Sequence, residues 1–348
     1  MNILIDTERR RYTPSGLQFF CDNLLRGLSE LGATDISIYG PEKAFGFSLE
    51  KFSPLHKFFN PVPQKYRLVH ITHQNQSYFP RKFGETRILT VHDLNYLHLS
   101  QVDKRTKDNF IKQVAKNISQ ADHIVCISEY TRQDLLNFSS LFPGLEDKEI
   151  TVVYNGLDTS IPYSKEELET HLPEELQGKQ YLLNIGVANP KKNQQAIIEA
   201  MPRIDEDVVL VVNDVNNSYA RYLRDRASEI GVSGRLHFLE NVSDRVKHSL
   251  LYHTEALVFP SLIEGFGYPP VEAMVYGKPV ILSRNGSLPE VGGDVALYLK
   301  DASPWDVERA LLELKTHRPD PHKIREHVCR FSYLNMAKGY LDLYRSLL

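Results

Sequence analysis

The chain has little that would cross-link it or carry it through a bilayer. Three cysteines, Cys21, Cys126 and Cys329, are all it holds in 348 residues. They are odd in number and widely spaced, which excludes a disulfide scaffold and a cysteine-rich zinc site and fits thiols kept reduced. No apolar run approaches the ~18 residues that suggest a membrane span. No basic-then-apolar leader precedes the strand-like MNILID, so a cytoplasmic protein is expected. Charge of one sign is not in excess either. With 41 Lys and Arg against 44 Asp and Glu the net charge is -3, so no global field draws the chain onto nucleic acid and any anion site must be local. No strand is followed by G-x-G-x-x-G, because GFGYPP ends in Pro270, and Walker loops and hydrolase elbows are missing too. Solenoid repeats and low-complexity tracts are absent as well.

What is present is length and alternation. A chain of this size exceeds what one hydrophobic core serves well, so two domains with a cleft between them are expected. Short apolar runs, NILID, ISIY, LVHIT, RILTVHD, HIVCIS and ITVVYN, alternate with helical segments through residue 155. That pattern means a parallel sheet covered by helices. The charged stretch 159–179 carries no such run and is read as a linker. A second series follows: YLLNIG, VVLVVND, LHFLE, ALVFPS, PVILS and ALYLK. The expectation is α/β: two doubly wound Rossmann-like domains, 1–165 and 166–331, with the amphipathic tail 332–348 packing back onto the first.

Ligands of open α/β sheets bind beyond the carboxyl ends of the strands, so strand-to-helix loops carry the chemistry. The most informative is FPSLIEGFGYPPVEAMVYGKPV, residues 259–280. Gly265 and Gly267 let backbone approach a ligand, and Pro269 and Pro270 open a helix whose N-terminus suits a diphosphate. Glu264 and Glu272 flank the loop, and ionised carboxylates accept hydrogen bonds from sugar diols.

Together with LHFLENVSDRVKHSLLYHTEALVFPS before it and ILSRNGSLPEVGGDVALYL after it, this stretch resembles the donor-binding region of retaining glycosyltransferases of family 4, which have the GT-B fold. The resemblance implies that Glu264 meets the transferred sugar and Glu272 the nucleotide ribose. It places backbone N–H groups of Gly265, Phe266 and Gly267 at sugar and diphosphate, and the base at the turn around Asn241 and Val242. IGVANPKKNQQAI resembles the family's second phosphate element, with Lys192 as the usual lysine and Lys191 beside it; Val187 stands where an arginine is common. In the first half, RRYTPSGLQFF resembles the glycine loop, with Gly16 near the diphosphate, and His92 in TVHDL matches the pocket histidine near the transferred sugar. Asp93, His73 and Asn75 are weaker companions on the acceptor side. Arg9, Arg10 and Arg11 read as a solvated loop; because the loop opens onto the expected cleft, an anionic acceptor group such as a phosphate is the rival reading. Asn155 and Gly156 read as structural. FGFSLEKFSPLHKFFNP, 45–61, reads as core and lid, with a peripheral membrane face as the rival reading.

The resemblance implies a retaining hexosyltransferase that uses a nucleotide sugar, such as a UDP-hexose or GDP-mannose, and a glycan or glycolipid acceptor in surface polysaccharide or lipopolysaccharide synthesis. It acts in the cytoplasm or peripherally at the inner face of the membrane. The chain is read as lacking the D-x-D pair that presents two carboxylates to a cation at a strand end, so no metal and no other cofactor is expected. A catalytically silent nucleotide-sugar-binding or partner subunit is the alternative; an epimerase or phosphorylase of the same fold fits the glutamate loop less well.

Overall fold

The computed structural model describes residues 2–12, 15–60 and 66–348. Contacts divide the chain into two units: Met1–Asp158 with Phe331–Leu348, and Thr159–Arg330.

Unit 1 is built on seven strands: β1 (Ile3–Asp6), β2 (Ile36–Gly40), β3 (Ser48–Lys51), β4 (Leu68–Ile71), β5 (Thr86–Val91), β6 (His123–Cys126) and β7 (Glu149–Val152). Their order is β3-β2-β1-β4-β5-β6-β7, every pairing parallel. The central strands are buried on both faces, which is why they read as continuous apolar runs. Strand β3, SLEK, was not expected. It is an edge strand with partly exposed polar residues and so carries no apolar signal.

The helix Gly16–Glu30 starts on a Ser15 cap, whose side chain accepts from Gln18 N–H, and buries Phe20, Cys21, Leu24, Leu25 and Leu28. The helix Tyr333–Ser346 lies against it so closely that a Cβ on Gly27 would stand 2.5 Å from that of Ala337. The second helix also drives Tyr340 and Tyr344, both fully buried, into the core of unit 1. Their hydroxyls end in a polar chain: Tyr344 to His70 Nδ1 at 2.7 Å, His70 Nε2 to Thr90 at 2.8 Å and Thr90 to Tyr340 at 2.9 Å. Two tyrosines are thus buried without an unpaired hydroxyl.

Unit 2 has six strands: β8 (Tyr181–Ile185), β9 (Asp207–Val212), β10 (Leu236–Glu240), β11 (Ala256–Phe259), β12 (Val280–Leu282) and β13 (Leu297–Tyr298). The order is β10-β9-β8-β11-β12-β13, again all parallel. The boundary between units falls at Asp158/Thr159, seven residues before the expected 165/166. The reason is local. Asp158 is tied into unit 1 by Arg26 at 2.7 Å, and Leu157 bridges Ser332. Residues after it belong with unit 2: Tyr163 donates to Asp244 at 2.9 Å, and the helix Lys165–Thr170, closed by a Ser164/Glu167 capping box, receives Ser249 Oγ–H on its Leu168 carbonyl at 2.5 Å.

In each sheet the connection reverses direction once, between β1 and β4 in unit 1 and between β8 and β11 in unit 2. Such switch points open a crevice at the carboxyl ends of the strands, where the flanking loops diverge.

Candidate active site

At the switch point of unit 2 the loops after β8 and β11 meet. Asn189 caps a single turn, Pro190–Lys192, and Asn193 ends it in the left-handed region at φ 54°. The Asn193 amide then donates to the carbonyls of Pro260 and Ala302, while Leu262 N–H donates to Lys191 O at 2.7 Å. Asn193 therefore locks the basic pair onto the loop after β11 and is not itself aimed at a ligand. The Lys192 stem passes over Gly186, and its ammonium lies 2.5 Å from Glu264 Oε1 and 4.9 Å from the centre of the Phe259 ring. The two residues expected to meet phosphate and sugar are thus paired. Lys191 makes no side-chain ion pair among the described residues, and Val187 is exposed at 47%.

Gly267, at φ 97°, turns the chain into the helix Tyr268–Val275. The expectation that this helix start is rich in donors needs correction. Pro269 and Pro270 carry no N–H and the Val271 N–H closes the first helical turn, so the N–H groups at this turn are those of the loop Gly265–Gly267 and of Tyr268. Residues that the sequence did not single out hold the loop. Ser287 donates through N–H and hydroxyl to Glu264 O, at 3.1 and 3.2 Å, and through its hydroxyl to Phe266 O at 2.9 Å. Gly286, at φ 64°, lies so close that a Cβ there would run into the Glu264 backbone.

Glu272 lies further along the same helix, and Lys247 meets its Oε1 at 3.1 Å and Asp244 at 3.3 Å. Burial works against the Lys247 ammonium, but Glu272 and Asp244 outweigh it and hold its pKa above the ordinary lysine value. Asp244 is held well below the usual carboxylate range, first by its hydrogen bond with His248. His248 Nδ1 in turn meets Tyr276 OH at 2.7 Å. Asn241, at φ 51°, makes the turn after β10, directly before the Ser243-capped helix Asp244–His253 that carries Lys247.

The expected absence of D-x-D also needs correction: Asp205-Glu206-Asp207 is one. It opens β9, at the amino end of the sheet and away from the strand ends just described. Asp207 pairs with Lys179 at 2.9 Å and His237 at 2.7 Å, and Glu206 with Lys315 at 2.9 Å. It is an ion-pair cluster committed to its neighbours.

In unit 1 the loops after β1 and β4 hold a second polar group. Asp6 is fully buried and accepts from Glu8 N–H and Gln76; burial, with Glu8 nearby, pushes its carboxyl up to about 7. Glu8, itself buried, pairs with both Arg9 and Arg11, and Arg10 pairs with Asp22 at 2.6 Å. Arg9 donates to Asn75 O, and Arg11 lies against the rings of Tyr12, Phe52 and Tyr78. The three arginines are therefore engaged by partners within unit 1, with the Arg9 and Arg11 side chains left 21% and 31% exposed.

His92 is buried and donates through Nε2 to the Thr72 carbonyl at 2.8 Å, which fixes Nδ1 as the acceptor of a neutral imidazole. Burial lowers its pKa to about 4, and its ring stands edge-on to Phe20 at 4.8 Å and 5.7 Å from His73. His73 Nδ1 accepts from Asn75 N–H, and Asp93 Oδ1 from Asn95 N–H. Gly16 begins the helix Gly16–Glu30, and a Cβ there would meet nothing within 4 Å. Thr13 and Pro14 of the glycine loop lie outside the described residues, as does Pro61 of the phenylalanine segment. Asn155 is buried, and Gly156 sits where a Cβ would strike Ser332 and Tyr333, in keeping with a structural part. The segment 45–60 divides: Phe47 is buried and Phe52 packs on Tyr39 and Tyr78, whereas Leu55, Phe58 and Phe59 are 64%, 72% and 68% exposed. No helix among the described residues is long and apolar enough to cross a membrane.

Residues 169–328 match the model for glycosyl transferases group 1, and residues 14–161 match that for glycosyltransferase family 4. The O-antigen chain mannosyltransferase RfbU of Salmonella typhimurium is 26% identical over 256 residues, 72% of this chain and 67% of that one. An MMP alpha-(1->4)-mannosyltransferase of Mycolicibacterium hassiacum is 28% identical over 62% of this chain and 49% of its own, so the chain spans 67% and 49% of the length of these two relatives. Among solved structures, sucrose-phosphate synthase of Thermosynechococcus elongatus superposes with a TM-score of 0.77 at 17% identity, covering 100% of this chain and 99% of that one. HepE of Anabaena, solved with UDP and glucose, gives 0.76 at 15% identity, covering 99% and 100%. Two matching family models that together span most of the sequence, on two parallel-sheet units of this topology, make the chain a family 4 glycosyltransferase with the GT-B fold.

Proposed function

We propose that the chain transfers a hexose with retention from a nucleotide sugar to a hydroxyl of a glycan or glycolipid, in synthesis of a surface polysaccharide of the O-antigen kind. The observation that carries this is the Lys192–Glu264 pair at the unit 2 switch point, backed by Gly265–Gly267 and followed by Glu272. In this reading Glu272 accepts from the ribose diol, Glu264 from the transferred sugar, and the turn at Asn241 and Val242 holds the base through its main chain. Lys192, Lys191 and the loop N–H groups stabilise the charge that grows on the β-phosphate as it leaves the anomeric carbon. The leaving phosphate itself takes the acceptor proton on the same face, which requires no protein nucleophile. His92, neutral, offers its Nδ1 lone pair to a sugar hydroxyl. No metal is invoked, because lysines and N–H groups supply the positive charge.

The mannosyltransferase relatives favour mannose, and the Anabaena neighbour was solved with UDP, so UDP and GDP forms are both tested as donors. Leu55, Phe58 and Phe59, exposed beside Lys57, are read as a face that rests on an anionic membrane near a lipid-borne acceptor. The deciding experiment compares two variants. Glu272→Ala weakens binding of the free nucleoside diphosphate, whereas Glu264→Ala lowers turnover far more than that affinity. Equal loss of free-nucleotide binding in both overturns the assignment. For the membrane face, Phe58→Ser with Phe59→Ser reduces flotation with phosphatidylglycerol vesicles, and unchanged flotation rejects it.

A further inference from the structure

Lys247 lies in the stretch that carries the family resemblance but is given no role there, yet it stands between the base turn and the ribose carboxylate. The helix Asp244–His253 begins two residues after Val242, and Lys247 projects from its first turns to within 3.1 Å of Glu272 Oε1 and 3.3 Å of Asp244 Oδ1. Asp244 is itself held by Tyr163 at 2.9 Å and faces His248 Nε2 at 3.5 Å. Of the two carboxylates that meet the ammonium, Asp244 is therefore fixed by further bonds. The Lys247 and Glu272 side chains are only 22% and 13% exposed, so the contact is shielded from water and its geometry is constrained. A carboxylate offers two oxygens, and the structure engages one of them with Lys247.

We propose that Lys247 is a positioning residue for nucleotide recognition: it holds Glu272 by Oε1 so that Oε2 is presented to the ribose diol. The inference rests on the reading of Glu272 as the ribose carboxylate. Without the ammonium, Glu272 is free to change rotamer and must be ordered again on each binding event. The base and diphosphate contacts do not pass through this carboxylate, so the loss falls on the ribose alone.

The test uses the full chain and calorimetric titration with UDP and GDP, each beside its 2′,3′-dideoxy form. Wild type is expected to prefer the ribose form of the nucleotide it binds by about tenfold, the order of one hydrogen bond to a charged group. In Lys247→Met and Lys247→Gln that preference shrinks to about twofold or less, while affinity for the dideoxy form stays within twofold of wild type. Lys247→Arg, which keeps a cation in reach, recovers most of it. Equal loss for both forms, or loss only as the ligand-free protein melts at lower temperature, marks a structural tie and overturns the proposal; so does an unchanged preference. Glu272→Gln separates the two readings. If it abolishes the ribose preference while the Lys247 variants keep it, only the positioning role fails. If Glu272→Gln leaves the preference intact, or if wild type binds neither nucleotide, the ribose assignment fails and the Lys247 proposal with it.

Discussion

Removing Lys192 is expected to injure stability and turnover separately, and the pair geometry says by how much. The two side chains are 14% and 10% exposed, so the contact lies between a surface pair and a fully buried one. Exposed pairs contribute up to about 1 kcal/mol, whereas stripping one partner from a buried pair costs about 3–5 kcal/mol because a charge is left uncompensated. Lys192→Ala leaves the Glu264 carboxylate at the end of β11 without its cation, and a loss of about 2–3 kcal/mol follows. In a unit the size of Thr159–Arg330 that corresponds to a fall of about 4–12 °C in melting temperature. Glu264→Gln costs less, since the Lys192 ammonium keeps the Phe259 face and can turn to water. The double variant, with neither charge, should recover at least about 1 kcal/mol relative to the sum of the singles. Turnover should not recover: both variants that lack the lysine are expected to fall about a hundredfold or more, the usual loss for one donor to a developing anion. Thermal denaturation and initial-rate assays on the four proteins read the two effects independently. If the singles are additive in stability, the pair is not a thermodynamic unit; if turnover returns in the double variant, Lys192 acts only by neutralising Glu264.

Transfer should continue in excess EDTA at the rate seen with magnesium or manganese, and activity that chelation abolishes and metal restores would refute the lysine-based mechanism. Gly286→Ala should lower donor affinity and stability together, the latter by about 2–3 kcal/mol, because a methyl at φ 64° meets the Glu264 backbone; nucleotide titration and melting check it, and a neutral result would mean the loop yields. Stability of unit 1 should fall on acidification from pH 6.5 toward 4. Burial lowers His70 to about 3, His92 to about 4 and His73 well below 6.5, so the unfolded chain takes up these protons first and the stability they contribute is present above 6.5 and lost below it. Asp6, raised to about 7, has the opposite sign, its contribution being lost as pH rises from 3.8 to 7, and Asp134, also raised by burial, shares that sign; His56 and His123, also lowered by burial, stand with the three histidines, so two groups oppose five. Urea midpoints at pH 4.5 and 6.5 measure the balance, and equal midpoints would contradict it.

The parallel strands were legible because a strand buried on both faces writes itself as an apolar run, and the donor loop because its glycines, prolines and glutamates are neighbours in sequence. Strand β3 was not, since an edge strand reading SLEK lacks that signature. Nor were Gly286, Ser287 and Lys247, which reach the site from a different loop and a different helix and have no spacing relation to Glu264 or Glu272. The arginine run shows the opposite case. Its signal was present, a glutamate one and three residues before two of the arginines, and the fold buries that glutamate, so the guanidinium groups turn inward. The triplet Asp205-Glu206-Asp207 shows that a motif means little until its end of the strand is known.

The return of Phe331–Leu348 to unit 1 has a consequence for biosynthesis. The chain leaves the ribosome in an order that completes Thr159–Arg330 before it supplies Tyr340 and Tyr344 to the first sheet. At about 5–20 residues per second, the helix Gly16–Glu30 waits on the order of ten to thirty seconds for the tail helix that completes its packing while the inserted unit is made. Here the half translated first is the half that finishes folding last.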